Sequence, residues 1–149
     1  MTHGELVSRA VTWLKNMKHC RLVLCKPRSV TSEQPDAIGW KMCPSTSTLV
    51  ECKASRADFL ADRKKFFRQH PTLGMGYYRF YLTPAGLVER AEVPKGWGLL
   101  EVKGRTVCMA KKATPFTDWN VREELSLLLS RFVHGIEPHE DTATDWGDL

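Results

Sequence analysis

Two short apolar segments separated by a turn-rich connector limit most strongly how this chain can fold. Residues 36–40 and 49–53 have the composition of strands, and the connector Pro-Ser-Thr-Ser-Thr at residues 44–48 predicts a turn between them. The two segments are therefore expected to form a β-hairpin. Patterns with helical spacing stand before and after this hairpin. A hairpin enclosed by helices indicates an α/β domain.

Three amphipathic helices are predicted from the spacing of apolar residues. The first begins at a capping box of Thr2 and Glu5, and the second begins at the same pattern in Ser55 and Asp58. The apolar side of the first is expected to consist of Leu6, Ala10, Trp13, Leu14 and Met17. That of the second is expected to consist of Phe59, Leu60, Phe66 and Phe67. The third helix lies near the C-terminus, with an apolar side of Val121, Leu125, Leu128, Leu129 and Phe132.

Four further strands complete the predicted sheet. Residues 21–25 precede the hairpin, residues 77–82 follow the second helix, and residues 98–102 and 106–110 form a second hairpin. The sequence contains no internal repeat and no interior linker. We therefore predict one domain over residues 1–133, followed by an acidic tail at residues 134–149.

Charge is distributed unevenly along the chain. The whole chain has 22 basic and 17 acidic residues, which gives a net charge of +5. Five of the acids lie in the tail, which contains no Lys or Arg, so residues 1–133 carry 22 minus 12, or +10. An excess of this kind favours a polyanionic partner, nucleic acid in particular. The tail is expected to be a solubilising end, although it could instead compete with nucleic acid for the basic surface.

Several classes of protein are disfavoured by the sequence. No apolar run reaches the roughly eighteen residues of a membrane-spanning helix, so no membrane association is expected. The glycine-rich loops of nucleotide-driven motors and dinucleotide enzymes are absent, and the spacing of Cys and His does not fit zinc. Five scattered cysteines and a start without an apolar signal predict reduced thiols in the cytoplasm.

The residues with the clearest chemical pattern lie on the first hairpin. Glu51 and Lys53 alternate with Cys52 along a strand, so both are expected to point to the same face. If Asp36 lies across the hairpin on that face, two carboxylates and an ammonium group converge there. Such a pair of carboxylates favours a hard cation, Mg²⁺ or Mn²⁺, to which the carbonyl oxygen of Cys52 could be a further ligand. Lys53 could then orient or deprotonate water, or stabilise charge at phosphorus, which is the chemistry of phosphodiester hydrolysis.

Basic residues follow the hairpin directly. The N-terminus of the second helix suits a phosphate, which Ser55 could reach. The basic side of this helix could clamp a nucleic-acid backbone through Arg56, Arg63, Lys64, Lys65 and Arg68. Each feature also has a structural explanation, because Ser55 can be an N-cap and the basic side chains can be a solvated helix face. The acidic and basic residues of the hairpin could likewise form solvated ion pairs.

The sequence resembles the PD-(D/E)xK nuclease superfamily. Pro35-Asp36, fourteen intervening residues and Glu51-Cys52-Lys53 match its motif within an αβββαβ order of elements. More narrowly, residues 35–40, 50–59 and 94–100 are similar to small bacterial and phage proteins of the MmcB-like DNA-repair type. The resemblance extends from about residue 2 to residue 110.

This resemblance implies a restriction-endonuclease-like fold, with a central mixed sheet flanked by helices, to which the second hairpin and the C-terminal helix are additions. It also implies Mg²⁺-dependent cleavage of DNA in a bacterial or phage-infected cell. Asp36 and Glu51 would be metal ligands and Lys53 the catalytic lysine. Many members bring an acid from the first helix to the metal, a role for which Glu5 is the candidate if it is not held in the capping box. Glu33, in the polar loop before the hairpin, is a second candidate for that role, but it is expected instead to be an exposed charge.

Two functions from different classes remain open. The superfamily includes nucleases of DNA and of RNA, and also proteins that bind without cutting. We expect a DNA nuclease of repair, recombination or phage DNA processing. Its size favours selection of structure, such as ends, flaps, junctions or single strands, over a long sequence, unless it forms a homodimer. The alternative is a non-catalytic DNA-binding module on the same scaffold.

Overall fold

The computed structural model describes residues 1–27 and 33–134. Most of the predicted acidic tail, residues 135–149, lies outside the described residues. In chain order the helices and strands are α1 (His3–Asn16), β1 (Leu22–Cys25), β2 (Ala37–Met42), β3 (Ser45–Cys52), α2 (Arg56–Asp62), α3 (Phe66–Gln69), β4 (Tyr78–Pro84), β5 (Gly98–Lys103), β6 (Thr106–Lys111) and α4 (Val121–His134). Short 3₁₀ turns at Pro71–Leu73 and Arg90–Glu92 precede β4 and β5.

All six strands join one mixed sheet in which their spatial order follows the chain, from β1 to β6. The strands β1, β2 and β3 pair antiparallel, β3, β4 and β5 pair parallel, and β6 returns antiparallel to β5. Helices α2 and α3 form the crossover between the parallel strands β3 and β4. The predicted α/β class, mixed sheet and αβββαβ order are therefore confirmed.

Apolar cores cover both faces of the sheet. On one face α1 packs against Val50 of β3 and Phe80 of β4. On the other face Leu49 packs with Phe59 of α2 and Leu127 of α4. Because alternate residues of β3 face opposite sides, the side chain of residue 51 lies on the second face.

The capping box at the start of α1 is confirmed. The hydroxyl of Thr2 accepts the backbone N–H of Glu5 at 3.2 Å, and the carboxylate of Glu5 accepts the backbone N–H of Thr2 at 2.6 Å. The predicted apolar side of α1 is buried apart from Met17, which is 67% exposed. The prediction for Met17 was wrong because the helix ends at Asn16, one residue before it.

The first hairpin turns more tightly than predicted. Strand β2 continues to Met42 and β3 begins at Ser45, so only residues 43–44 form the turn. The predicted turn over residues 44–48 was too long, because residues 45–48 pair in register with residues 39–42. Two threonines among these residues suit a strand, since β-branched side chains pack well on a pleated surface.

The second predicted helix is broken in two. Ser55 is its N-cap, as the sequence indicates, but α2 ends at Asp62 and α3 begins at Phe66 after Lys65 adopts an extended conformation. The predicted apolar side was wrong for Leu60 and Phe66, which are 41% and 54% exposed. The break allows Asp62 to turn inward while Arg68 returns to contact it at 2.8 Å.

Helix α4 confirms the predicted third helix but presents a different side to the protein. Leu125 and Leu129 are each 54% exposed and Phe132 is 84% exposed, so the predicted apolar side was wrong. Leu127 is buried instead, together with Glu124. The helix lies this way because the Glu124 carboxylate accepts the backbone N–H of Gly76 and two side-chain donors of the sheet. Among the helices described, none has the length and apolar character needed to cross a membrane.

Candidate active site

The first hairpin places Asp36 directly opposite Glu51. Ala37 pairs with Val50 in the antiparallel register of β2 and β3, so the residue before β2 lies beside residue 51 of β3. One carboxylate oxygen of Asp36 accepts the backbone N–H of Cys52 at 2.8 Å. The other lies 3.0 Å from Nε2 of His3, at the start of α1. Three elements therefore hold Asp36 at the end of β3.

Glu51 and Lys53 lie at the carboxyl end of β3, where both are nearly buried. They are 4% and 7% exposed, respectively, and Nζ of Lys53 lies 3.6 Å from Oε2 of Glu51. The predicted convergence of Asp36, Glu51 and Lys53 is thus present. The predicted alternative of solvated ion pairs on a surface hairpin does not describe this burial.

Asp62 joins this cluster from the end of α2. Its carboxylate lies 3.0 Å from Nζ of Lys53 and 2.9 Å from Nζ of Lys65, and it accepts the Tyr81 hydroxyl at 2.6 Å. The guanidinium of Arg68 contacts the same carboxylate and also lies 3.4 Å from Oε1 of Glu51. Asp62 and Glu51 are therefore bridged by two buried cations.

These contacts shift the pKa values of the cluster in different directions. Burial raises the pKa of Glu51 above its usual value, and Asp36 adds to the effect, although the guanidinium of Arg68 opposes both. Burial alone would lower the pKa of Lys53, but the carboxylates of Glu51 and Asp62 overcome burial and raise it. Burial would raise the pKa of Asp62, yet the surrounding cations and the Tyr81 hydroxyl hold it below its usual range. At neutral pH, Lys53 and Asp62 are thus charged.

A cavity of about 260 Å³ borders Glu51. Its walls also include Glu33, Lys65 and Arg68. The expectation that Glu33 is exposed was wrong, because this side chain is 5% exposed and accepts the backbone N–H of Met75 at 2.9 Å. The cavity therefore joins an acidic wall to two basic side chains at the carboxyl end of β3.

The structure places Glu5 in its capping box. The acid that the resemblance assigns to the first helix is therefore held on the backbone of Thr2, whereas His3 of the same helix contacts Asp36. The thiol of Cys52 is buried on the α1 face, and the backbone N–H of Cys52 donates to Asp36. A metal contact through the carbonyl oxygen of Cys52 stays a prediction.

The predicted phosphate clamp is divided among three positions. Ser55 caps α2, and Arg56 pairs with Glu92 in the loop between β4 and β5. Arg68 is turned inward, with its side chain 5% exposed and its guanidinium 4.6 Å from the centre of the Trp97 ring. Arg63, Lys64 and Lys65 remain exposed at the break between α2 and α3. These residues therefore do not share one helix face, because the helix breaks and two of its arginines contact carboxylates, and the phosphate clamp stays a prediction.

Sequence reasoning did not identify Asp62, His3 or Tyr81 as members of the site. A signal was available for the contact of Asp62 with Lys65, because an acid and a basic residue three positions later can pair on a helix. The contact with Arg68, six positions later, needs the break between α2 and α3. No local pattern indicates that the Tyr81 hydroxyl reaches across from β4.

The site offers a divalent cation two protein ligands, the carboxylates of Asp36 and Glu51. Two carboxylates converge, and Mg²⁺ is commonly bound through one or two carboxylates together with water and substrate phosphate. The two ion-pair contacts of Glu51 are 3.4 and 3.6 Å long, beyond the usual hydrogen-bond distance, so its carboxylate is not closely bound by either cation. Within residues 1–27 and 33–134, no three or more His, Cys, Asp and Glu side chains are arranged to hold a metal ion.

Comparison with known proteins adds information on the fold. No protein-family model matches the chain. No curated protein matches it either. Among solved structures it is similar to a protein of unknown function from Silicibacter pomeroyi, with a TM-score of 0.65 and 20% sequence identity over 90% of this chain and 86% of that one. At this identity the similarity shows the α/β fold and nothing of the activity.

Proposed function

We propose that this protein is a metal-dependent nuclease that hydrolyses phosphodiester bonds in DNA. The observation that carries the proposal is the convergence of Asp36, Glu51 and Lys53 at the carboxyl end of β3, beside a cavity. Two carboxylates next to an ammonium group are the groups that metal-assisted phosphodiester hydrolysis uses. The motif resemblance supports the same chemistry and a role in bacterial or phage DNA processing.

Each residue of the cluster has a role in this proposal. Asp36 and Glu51 would hold Mg²⁺ or Mn²⁺, which when bound lowers the pKa of water and polarises a phosphoryl group. Lys53 is protonated at neutral pH, so we assign it to stabilisation of negative charge on the phosphate rather than to proton abstraction. Asp62 fixes the position of the ammonium group through its 3.0 Å contact.

One observation favours the alternative of a non-catalytic DNA-binding module. The charges of the cluster already compensate one another, because Lys53 and Arg68 each contact both Glu51 and Asp62. A cluster of this kind can stabilise a fold without any metal. The two functions differ in one measurable respect, which is cleavage.

The test is a cleavage assay of the purified chain on supercoiled, linear, single-stranded and branched DNA. Each substrate is incubated with Mg²⁺, with Mn²⁺ or with EDTA. We expect metal-dependent cutting that falls by about 10²- to 10³-fold in Lys53→Met, the magnitude typical of removing a group that stabilises transition-state charge. Glu51→Gln should also lose cutting and should lose its response to added Mn²⁺.

Matched controls are available on β5. Glu101→Gln and Lys103→Met change the same side-chain types at the 3.8 Å ion pair of that strand, away from the cluster, and should cut like the parent chain. Metal-independent cutting, or cutting unchanged in Lys53→Met, would refute the proposed mechanism. Salt-sensitive DNA binding without cutting of any substrate would favour the binding module.

A further inference from the structure

A second cavity, of about 230 Å³, lies at the opposite end of β3 and on the opposite face of the sheet. Its walls include Thr46 and Thr48, which alternate along β3 with the residues that face the candidate active site. At about 3.3 Å per residue, Thr48 is roughly 10 Å along the strand from Glu51. The sheet therefore separates the two cavities.

The walls of this cavity are basic. Lys18 and His19 follow the end of α1, and Lys41 comes from β2, whereas none of the described Asp and Glu residues lines the cavity. Burial lowers the pKa of Lys18, and the nearby charge of Lys41 adds to the effect. In the part of the chain that the structure describes, neither ammonium group has a carboxylate within 4.0 Å. Two like charges thus lie close together without an acid between them.

The local geometry positions Lys18 and His19 at the cavity. Nζ of Lys18 lies 4.3 Å from the centre of the Tyr78 ring, whose face attracts a cation without neutralising it. His19 has a φ of 54°, in the left-handed region that is costly for a residue with a side chain, and it lines the cavity there. The helix dipole places only about half a negative charge at the C-terminal end of α1, which is smaller than the positive charge of the two ammonium groups.

We infer that this cavity binds a phosphate group, carried by nucleic acid or free in solution. The two ammonium groups supply positive charge, and the hydroxyls of Thr46 and Thr48 supply neutral donors to phosphate oxygens. The site goes beyond the proposed nuclease activity and uses none of its residues. It would anchor a nucleic-acid backbone on the face that carries α1.

The experiment measures binding by the full chain in EDTA, so that cleavage does not interfere. One arm follows the fluorescence anisotropy of a labelled twelve-nucleotide oligothymidylate, and the other follows the His19 ring signals in NMR spectra during titration with inorganic phosphate. The test variant is Lys18→Gln with Lys41→Gln. The control is Lys15→Gln with Lys95→Gln, which removes the same charge outside the cavity.

We expect the test variant to bind the oligonucleotide at least about tenfold more weakly and to lose about two units from the slope of log affinity against log salt. The control should stay close to the parent chain. If the His19 signals of the parent also respond to inorganic phosphate, and those of the test variant do not, a free phosphate group suffices. If only the oligonucleotide arm responds, the phosphate must belong to nucleic acid.

Equal affinity of the test and control variants for the oligonucleotide, with no response to phosphate, would overturn the inference. Both variants are to be compared with the parent by thermal melting, and the half-buried or exposed positions of the lysines favour correct folding. Because binding is measured without metal, loss of this site and failure of the nuclease proposal give different results. If the chain binds the oligonucleotide through this cavity but cuts no DNA, the phosphate site is supported and the nuclease proposal is refuted.

Discussion

The carboxylate of Asp62 is in contact with three cationic side chains and the hydroxyl of Tyr81. It is 1% exposed, so removal of its charge would leave Lys53 and Arg68 buried beside Glu51 alone. Removing one partner of a buried ion pair costs far more free energy than the intact pair contributes to stability. Asp62 is therefore expected to determine the stability of the site as well as the position of Lys53.

Asp62→Asn should lower the free energy of unfolding at pH 7 by about 3 to 5 kcal/mol. The pKa of Asp62 is lowered in the folded state, so its stabilising effect is complete above the pKa of an unfolded aspartate, about 3.9, and is lost as the pH falls further. Urea unfolding at a series of pH values should therefore show the difference between parent and variant shrinking below about pH 4. Asp118→Asn, at an exposed position before α4, is the control. A difference independent of pH would contradict this account.

Glu5→Gln separates the two roles open to the acid of α1. Glutamine can also complete a capping box, so this change keeps the hydrogen bond to Thr2 and removes only the negative charge. We expect cleavage and melting temperature close to those of the parent chain, measured by the assay above and by thermal melting. A large loss of cleavage with an unchanged melting temperature would assign Glu5 to the metal instead.

At the scale of elements, α4 is attached to the sheet through Glu124. Its carboxylate accepts the backbone N–H of Gly76 and the hydroxyl of Ser47, both at 2.8 Å, and the indole N–H of Trp40 at 3.2 Å. These three donors belong to β2, β3 and the segment before β4. One buried side chain therefore ties the helix to three parts of the fold.

Glu124→Gln should destabilise the protein by about 1 to 3 kcal/mol, because the amide NH₂ cannot accept and leaves at least one buried donor without a partner. Thermal melting should show a fall of several degrees in Tm, as expected for a domain of this size. Glu101→Gln is the comparison, since the Glu101 carboxylate accepts a single backbone N–H, that of Gly86, and lies 3.8 Å from Nζ of Lys103. A Tm equal to that of the parent would show that α4 is held by its apolar contacts instead.

How far the sequence predicts these elements depends on the range of the forces involved. The strands and the capping box of α1 were predictable because alternation and local hydrogen bonds determine them. The orientation of α4 was not, because Glu124 is drawn inward by donors at Trp40 and Ser47, more than 70 residues away in sequence. The same reason decides which site residues could be predicted. Alternation along the hairpin predicts Asp36, Glu51 and Lys53, whereas Asp62 belongs to another element.

At the scale of the whole molecule, charge is the property on which nucleic-acid binding depends. Residues 1–133 carry +10, while the tail at residues 134–149 carries five acids. Exposed basic residues lie on both sides of the sheet, at the break between α2 and α3 and at the cavity beside the end of α1. A tail that competes with nucleic acid would have to neutralise one of these regions, whereas a solubilising tail would not.

Replacing Glu137, Glu140, Asp141, Asp145 and Asp148 with the matching amides raises the net charge from +5 to +10 in the full chain. If the tail is a solubilising end, we expect oligonucleotide affinity at about 0.15 M salt to stay close to that of the parent, because charges beyond roughly 8 Å are screened there. Solubility should fall, since acidic residues favour it most. Anisotropy at two salt concentrations is the measurement, because removal of a bound competitor would tighten binding at both by about tenfold or more. Such a gain would identify the tail as an internal competitor for the phosphate-binding surfaces. Unchanged affinity would show that the tail does not compete with DNA for the basic residues.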